Sequence, residues 1–596
     1  MNVTHRSRTG LFAVQPRFLV QLLSFTFAII AVLSCTSFAA SATKCGHPKL
    51  SGSFLQPDLG DKWSILQWQK EFRYMQEASL NQLFLQWTAD SKQKTTIFPS
   101  SLSGYTQSTK HDVVERALRT ADENGAQVFV GLQVNDDWWT IYLSDASWLN
   151  NEARVANALA DDLWSRYQHH PSFAGWYLPF EVDNVETTRA EWNNLVAFYR
   201  TVGGHLHQIT PEKPIVISPF YTTQDAMSSA QWQKMWEYVL KRSLIDVIAL
   251  QDGVGAGHAT RADLPEWFTA VHNAIVNARP STLLWADTET FTPESLTMPI
   301  RNIVNDMVAV QPYVSNYLSF SFNHYLSPQQ VDPLYYKTYM AYLASGKVES
   351  VAPTAVDNLS AAAVDSSTVR LTWSGATDNF GVVGYRLLRE GYREITIQGR
   401  ATSYIDSGLD AGMTYTYQVR AFDAAGNASP WSAVASASTP PPTLYPVNIG
   451  VGKPYAASMQ ADPSYPDSGG VELTDGTIGT TDFSDPAWQG RATTQTYGFT
   501  LDLGSLQVIR EIRSHWLQDE ESGILFPQKA TYWVSPDNVT FSSVGTVKSP
   551  LHIPGTRVWW YTLTDLASVT GRYVQMRVIP GRYAEWTFLD EIEVRQ

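Results

Sequence analysis

Apolar runs typical of buried strands recur along the first 345 residues, and amphipathic stretches separate them. The runs are 50–56, 82–87, 127–133, 173–178, 214–218, 246–251, 282–286 and 307–311. The segments 112–124, 151–167 and 192–208 repeat apolar residues at three- and four-residue spacing, which predicts helices. Eight strand-then-helix units over about 300 residues predict a (β/α)8 barrel, with a doubly wound sheet as the alternative. We place this barrel at residues 46–346.

The pattern changes over residues 351–438, where short alternating runs at 369–373, 384–389 and 414–422 predict a small β-sandwich. Its motifs include Pro353-Thr354, Leu371-Thr372-Trp373, Gly384-Tyr385 and Ala424-Ala425-Gly426-Asn427. With these motifs the segment resembles a fibronectin type III module. The resemblance implies an immunoglobulin-like sandwich that acts as a spacer, with Trp373 in its core.

Residues 439–446 are rich in proline and predict a stiff linker, and residues 447–596 are again entirely strand-like. The last segment contains Asn448-Ile449-Gly450, Glu472-Leu473-Thr474-Asp475-Gly476 and Gly571-Arg572-Tyr573-Val574. Through these motifs it resembles a discoidin, or coagulation factor type C, jelly-roll, which implies a carbohydrate-binding module.

That resemblance also implies a structural calcium ion in the terminal module. Its ligands would be the Asp475 and Thr480 side chains, the carbonyls of Leu473 and Thr477, and Glu591, all of them hard oxygen donors. The alternative is that Asp475-Gly476 is only a turn. Candidate sugar contacts on its loops, most of them alternatively core residues, are Trp488, Trp516, Arg557, Trp559 and Trp586.

Residues 1–42 predict a secretory signal, because a basic start precedes an apolar run at 18–33 and Ala40-Ser41-Ala42. The alternatives are a retained anchor helix and a lipoprotein whose Cys35 is lipidated. Cys35 and Cys45 are the only cysteines. We therefore expect an exported protein with no membrane span after signal removal, either secreted or held at the cell surface through Cys35.

Charge and aromatic content narrow the class of ligand. The net charge is −14, from 43 basic and 57 acidic residues, and no basic cluster marks a nucleic-acid binder. Aromatic residues make up 12% of the chain, and several lie beside carboxylates in loop-like stretches such as Asp136-Asp137-Trp138-Trp139. Flat apolar rings next to carboxylates suit a polysaccharide or glycan, and we expect a monomer.

Polar residues follow the predicted strands, where a barrel carries its working groups. Glu181 follows the fourth run, Asp252 the sixth and Glu289 the seventh. Glycoside hydrolysis needs one protonated and one ionised carboxyl group, so we predict Glu181 and Glu289 as the catalytic pair. The predicted substrate-binding residues are Trp87, Asn135, Trp138, Trp139, Tyr221, Gln251, Asp252, Asp287 and Tyr313.

The same residues carry a resemblance to the clan of retaining barrel glycosidases, which place the acid/base glutamate after strand four and the nucleophile after strand seven. More narrowly, Gly175-Trp176-Tyr177-Leu178-Pro179 and Trp285-Ala286-Asp287-Thr288-Glu289-Thr290-Phe291 resemble an uncharacterised family of bacterial glycosidase-like barrels. Phe180 departs from the clan, which has asparagine before its acid/base. Another residue, Asn135 or Gln251, must then hold the sugar 2-hydroxyl.

Other chemistries find little support in the sequence. Gly253 to Gly257 lacks a dinucleotide-binding context, and His169-His170 predicts a solvated pair at a helix end rather than a metal site. We therefore expect a glycoside hydrolase without a catalytic cofactor. The alternative is a non-catalytic extracellular glycan-binding or adhesion protein.

Overall fold

The computed structural model describes residues 46–596 except 225, 392–393, 442–444, 468, 551–554, 565, 567–568 and 582–583. The predicted signal, its cleavage site and both cysteines lie outside the described residues. Within the described part of the chain, no helix is both long and apolar enough to cross a membrane.

Eight parallel strands close into the predicted barrel, each paired with its neighbours along the chain and the last with the first. They are β1 (Gly52–Leu55), β2 (Gln82–Leu85), β3 (Gln127–Gly131), β4 (Phe173–Leu178), β5 (Ile215–Ile217), β6 (Val247–Gln251), β7 (Leu283–Glu289) and β8 (Asn316–Phe320). Aromatic side chains fill the interior, where Phe84 and Phe129 stack at 4.3 Å and Trp285 meets both edge-on. The interior of the barrel is thus packed with side chains, so functional groups must lie at the ends of the strands.

Helices surround this barrel. They are α1 (Pro57–Asp61), α2 (Ile65–Glu77), α3 (Val113–Asn124), α4 (Trp138–Ile141), α5 (Ala146–Tyr167), α6 (Arg189–Ile209), α7 (Ser229–Leu240), α8 (Leu264–Ala278), α9 (Ile300–Val310), α10 (Phe322–Tyr325) and α11 (Pro333–Ser345). Short strands Ala89–Asp90, Thr95–Thr96, Thr106–Gln107 and Gln133–Val134 form a small sheet beyond β2 and β3.

Local capping explains why two helices begin earlier than their apolar periodicity predicts. Asp145 accepts the backbone N–H groups of Ser147 and Trp148, so α5 begins at Ala146 rather than at 151. Thr188 and Glu191 form a capping box that begins α6 at Arg189 rather than at 192. Polar capping residues extend these helices beyond the apolar pattern.

The predicted eighth strand is wrong. Residues 307–310 belong to α9, which buries Ile303, Met307 and Val310 along one face, and the true strand β8 follows at Asn316–Phe320. A short apolar run does not distinguish a buried helix segment from a buried strand. Pairing of β8 with β1 and β7 settles the assignment.

The second domain is the expected β-sandwich. One sheet contains β9 (Ser360–Asp365), β10 (Thr368–Thr372) and β13 (Ser403–Ser407), and the other contains β11 (Val382–Arg389), β12 (Ile395–Gln398), β14 (Thr414–Asp423) and β15 (Ala435–Ser438). Trp373 lies in its core, as predicted, with its ring edge-on to Tyr385.

This sandwich packs directly on the barrel. The backbone N–H groups of Ile300 and Arg301, at the start of α9, donate to the carbonyls of Ala424 and Ala425. Phe422 and Ala424 share a continuous apolar core with the barrel helices. The domain is therefore held against the barrel by backbone hydrogen bonds and a shared apolar core.

The C-terminal domain consists of two antiparallel sheets around a separate core. One sheet contains β16 (Tyr455–Ala457), β18 (Tyr497–Ile509), β20 (Lys529–Ser535), β21 (Ser542–Lys548) and β23 (Val569–Ile579). The other contains β17 (Gln489–Arg491), β19 (Glu511–Gln518), β22 (Arg557–Leu563) and β24 (Thr587–Arg595). Short 3-10 helices lie at Glu472–Thr474 and Glu520–Ser522.

Candidate active site

The carboxyl end of β7 carries two acidic side chains into the barrel. Alternate residues of a strand share a face, so Trp285, Asp287 and Glu289 all point inward. Trp285 belongs to the interior aromatic core, Asp287 lies above it, and Glu289 ends the strand at the mouth. By the same alternation, Ala249 of β6 lies in the core and Gln251 reaches the mouth.

Glu181, three residues beyond β4, lies close to Gln251 and Glu289. Burial raises the pKa of Glu181 to about 7, with a further contribution from the negative charge of Glu289, while a hydrogen bond from Gln251 opposes the shift. The Gln251 amide also donates to the Ser218 carbonyl at 3.0 Å, which fixes its orientation. Glu181 keeps part of its surface exposed, so a ligand at the mouth can reach it.

The loop after β6 covers Glu289. The backbone N–H of Ala256 donates to Glu289 Oε2 at 2.7 Å. A Cβ at Gly255 would lie 2.9 Å from the Glu289 Cβ and 2.5 Å from the Phe291 carbonyl, so this close approach requires glycine. Burial raises the pKa of Glu289 to about 7, and the backbone N–H groups of Ala256 and Gly255 oppose that shift. The glycine-rich segment therefore positions a carboxylate.

Asp252 and Asp287 are buried next to this pair. Asp252 accepts the Val254 and Glu289 backbone N–H groups, at 3.1 and 3.3 Å. Asp287 accepts the Ser218 hydroxyl at 3.0 Å through one oxygen, and the other has no hydrogen-bond partner among the described residues. Burial raises the pKa of both carboxyls well above the usual value. Asp252 thus supports the loop and Glu289, whereas Asp287 keeps a polar atom available.

Trp138 and Phe180 form a buried platform beneath the Glu181 segment. Their rings stack at 5.0 Å with an interplanar angle of 5°, and the Trp138 indole N–H donates to the Glu181 carbonyl at 2.8 Å. Trp138 is only 2% exposed, so the prediction that it stacks on a sugar is corrected: it supports the backbone of Glu181. The Phe180 side chain packs in the apolar core formed with the barrel helices. An apolar residue is therefore accommodated at the position where the glycosidase clan has asparagine.

Tyr221 and Asn135 are also corrected as direct sugar contacts. Tyr221 is fully buried, stacks on Trp267 at 4.6 Å and donates to the Asp252 carbonyl. The Asn135 amide donates to Ser91 and Glu152, and its oxygen accepts the Asp137 backbone N–H. Both side chains are therefore occupied in holding loops together.

Tyr313 is at the wrong end of the barrel. It precedes β8, in the turn after α9, and its carbonyl contacts His272 of α8 at 3.2 Å. The misassigned eighth strand caused this error, because residues just before a strand lie opposite the catalytic mouth.

Two of the aromatic residues predicted to bind sugar remain accessible at the mouth. Trp87 is partly exposed beyond β2, and Trp139 is 58% exposed beyond β3.

Sequence reasoning missed two aromatic groups at the mouth. Phe220 lies 6.2 Å from Trp139 and stacks on His258 at 5.5 Å, beyond β5 and β6. Phe291 stacks on Tyr325 at 5.3 Å, beyond β7 and β8. Phe220 and Phe291 each follow a predicted strand within a few residues, and that position could have identified them.

Two of the predicted calcium ligands, Glu591 and Asp475, lie close together in the C-terminal domain. Glu591 accepts the Gly476 backbone N–H at 3.1 Å through Oε2, and its Oε1 has no hydrogen-bond partner in the described part of the chain. Burial raises the pKa of Glu591 to about 8, and the charge of Asp475 adds to that effect. An orphaned buried oxygen next to a second carboxylate fits a hard cation.

The aromatic residues proposed for sugar binding in this domain divide by burial. Trp488 and Trp516 are core residues, at 1% and 0% exposed. Trp559 and Trp586 are partly exposed, and Trp586 lies edge-on to Tyr465 at 5.4 Å. Arg557 begins β22, the strand that also carries Trp559, and is likewise partly exposed.

Short stretches of the chain are similar to parts of curated proteins. It is 47% identical over 92 residues to an alpha-amylase of Niallia circulans, which covers 15% of this chain and 7% of that protein. It is 40% identical over 98 residues to chitinase A1 of the same organism, covering 16% and 14%. The chain thus spans a small part of the length of the curated relatives it matches.

Solved structures give distant similarities. A candidate alpha-L-fucosidase from Bacteroides thetaiotaomicron is 21% identical, with a TM-score of 0.42, covering 52% of this chain and 96% of that chain. A chitosan-binding module from Paenibacillus sp. IK-5 is 18% identical, with a TM-score of 0.19, covering 25% and 99%. Similarity at this level indicates no particular activity.

The family models agree with the first two domains. Residues 352–438 match the fibronectin type III domain, which confirms the predicted resemblance to that module. Residues 50–332 match the family described as "Domain of unknown function (DUF4434)". The chain therefore carries a DUF4434 domain, built as a closed barrel of eight parallel strands, followed by a fibronectin type III domain.

Proposed function

We propose that the barrel is a glycoside hydrolase in which Glu181 and Glu289 are the two catalytic carboxyls. The observation that carries this proposal is their pairing at the mouth, where burial raises the pKa of each to about 7 and the charge of Glu289 raises that of Glu181. Hydrolysis of a glycosidic bond needs two such groups, one protonated and one ionised.

The surroundings of the two groups favour different roles. Two backbone N–H groups stabilise the ionised form of Glu289, and its charge favours the protonated form of Glu181. The pair therefore holds one proton near pH 7, with Glu181 as the general acid/base and Glu289 as the nucleophile or base. Trp139, Phe220, Phe291 and Tyr325 lie around the mouth, where rings can stack on sugar faces.

For the terminal domain we propose a discoidin-like carbohydrate-binding role, with Trp559 and Trp586 among the ligand contacts. Calcium held by Asp475, Thr480, Glu591 and the carbonyls of Leu473 and Thr477 would tie the 473–480 loop to β24. The buried, unpaired Glu591 oxygen supports this assignment. With the predicted signal, these modules favour a secreted enzyme that acts on a polysaccharide or glycoconjugate outside the cell.

The test is cleavage of a panel of polysaccharides and glycoconjugates by the full chain, measured as new reducing ends. Glu181→Gln and Glu289→Gln should each abolish cleavage while leaving the circular dichroism spectrum unchanged. Full activity in either variant would contradict the assignment. Glu294→Gln is a matched control, because this exposed residue lies in the loop that follows Glu289 and should leave cleavage intact.

The second candidate is a barrel that binds glycan without cleaving it. It is favoured by Phe180, which is buried against Trp138 where the glycosidase clan has a polar residue, and by the occupied Asn135 amide. Gln251 is the remaining predicted partner for a sugar hydroxyl near Glu181. Retained glycan with no product across the panel would establish this alternative.

A further inference from the structure

A cluster of two histidines and a glutamate lies at the amino end of the barrel, away from the candidate active site. Glu115 belongs to the first turn of α3, and His169 and His170 follow the end of α5, shortly before β4 begins. One ligand atom from each of these three side chains lies within 4.8 Å of the others. The prediction that both histidines are solvated is wrong for His170, because this residue is only 7% exposed.

Asp122, which lies on α3 together with Glu115, orients the His170 ring. Its Nδ1 lies 2.5 Å from Asp122 Oδ2, and the other Asp122 oxygen accepts the Ser172 backbone N–H at 2.9 Å. This arrangement directs Nε2 to Glu115 Oε2, at 3.1 Å. A carboxylate behind one imidazole nitrogen, with the other nitrogen facing further donors, is the usual support of a metal-ligating histidine.

The geometry points to a binding site for a divalent transition-metal ion, of the zinc class, formed by Glu115, His169 and His170. Two ligands of a tetrahedral zinc ion at about 2.0–2.1 Å lie roughly 3.3 Å apart, close to the observed spacing of the His170 and Glu115 atoms. Two imidazole nitrogens and one carboxylate oxygen form a donor set that zinc accepts. Because His169 is exposed, a water molecule can supply the fourth ligand.

An ordinary ion pair accounts for only part of this cluster. It explains His170 between Asp122 and Glu115, but it gives no role to His169, whose ring lies 4.1 Å from that of His170. Elsewhere, His205 meets Asp161 at 2.8 Å on the helix surface as a single pair. His205 therefore provides a matched histidine–carboxylate control that lacks the clustered third ligand.

The bound ion would link α3 to the segment that enters β4. Binding to the folded state alone raises the apparent stability of the protein. Because the cluster is at the amino end of the strands, zinc should stabilise the chain without changing the KM of any glycan cleavage. The site does not depend on the proposed hydrolase activity.

Zinc chloride titrated into the chelator-treated full chain tests this site, by calorimetry and by the midpoint of thermal unfolding. We expect one high-affinity equivalent and a rise in Tm. His169→Ala and Glu115→Gln should each raise the zinc Kd at least tenfold, and Asp122→Asn should raise it about 10- to 100-fold. His205→Ala should bind as the unaltered chain does.

His169→Ala is the decisive variant because it leaves the contacts of His170 with Asp122 and Glu115 in place. Its unfolding in metal-free buffer should match that of the unaltered chain. No saturable zinc binding by the unaltered chain would overturn the proposal. So would zinc affinities of His169→Ala and Glu115→Gln that equal the affinity of the unaltered chain, or loss of zinc binding in His205→Ala alone.

Discussion

Replacing Glu289 with glutamine should stabilise the protein at alkaline pH while it abolishes the proposed activity. Glu289 is 3% exposed, and burial raises its pKa from 4.5 to about 7. At 1.36 kcal/mol for each pKa unit, ionised Glu289 costs the folded state roughly 3 kcal/mol of unfolding free energy. Glutamine carries no charge, and its carbonyl oxygen can still accept the Ala256 backbone N–H.

The sign follows from the raised pKa. Below pH 4.5 the carboxyl is protonated in both states and carries no penalty. Between pH 4.5 and about 7 the Glu289 carboxyl ionises in the unfolded chain but stays largely protonated in the folded protein. The unfolding free energy of the unaltered protein therefore falls as the pH rises from 4.5 to about 7. We therefore expect Glu289→Gln to match the unaltered protein near pH 4 and to exceed it by up to about 3 kcal/mol at pH 8.

Urea unfolding at pH 4, 6 and 8 measures this difference. Glu294→Gln, an exposed position in the loop that follows Glu289, should change stability by less than about 0.5 kcal/mol at every pH. A Glu289→Gln protein that is less stable than the unaltered chain at pH 8, or equally shifted at all three values, would refute the claim that Glu289 is a strained, buried acid.

Three further outcomes are expected. If cleavage needs ionised Glu289 and protonated Glu181, kcat/KM for glycan hydrolysis should fall on both sides of about pH 7, and a profile flat from pH 5 to 9 would contradict this pairing. Trp138→Phe removes the indole donor to the Glu181 carbonyl, so unfolding free energy should fall by about 1 kcal/mol and kcat should drop more than KM changes. Chelation of calcium should lower the Tm of the terminal domain, whereas Glu591→Gln should remove that sensitivity to chelator; an unchanged Tm in the unaltered chain would argue against the ion.

Local patterns in the sequence were sufficient for the barrel strands up to β7 and for the fibronectin type III domain. Burial of both faces produces continuous apolar runs, and the polar residues that directly follow such a run lie at the mouth of a barrel. The acidic residues at the mouth were predictable for that reason.

The tertiary structure alone decided β8 and the accessibility of each ring. The run at 307–311 satisfies both a buried strand and a buried helix, and only its neighbours choose between them. Trp138 and Trp139 are adjacent in the chain, yet one is 2% and the other 58% exposed, because Phe180 covers the first. The sequence of two adjacent tryptophans does not indicate which of their rings a distant residue will bury.

Contacts between distant segments likewise set the chemistry of each site. The loop at Gly255 reaches Glu289, and α3 brings Glu115 and Asp122 to His170, across separations of 33 to 55 residues. Residue types and strand ends are written in the sequence, because they follow from local periodicity. Burial, hydrogen-bond partners and shifted pKa values arise only when the closed barrel brings these segments together.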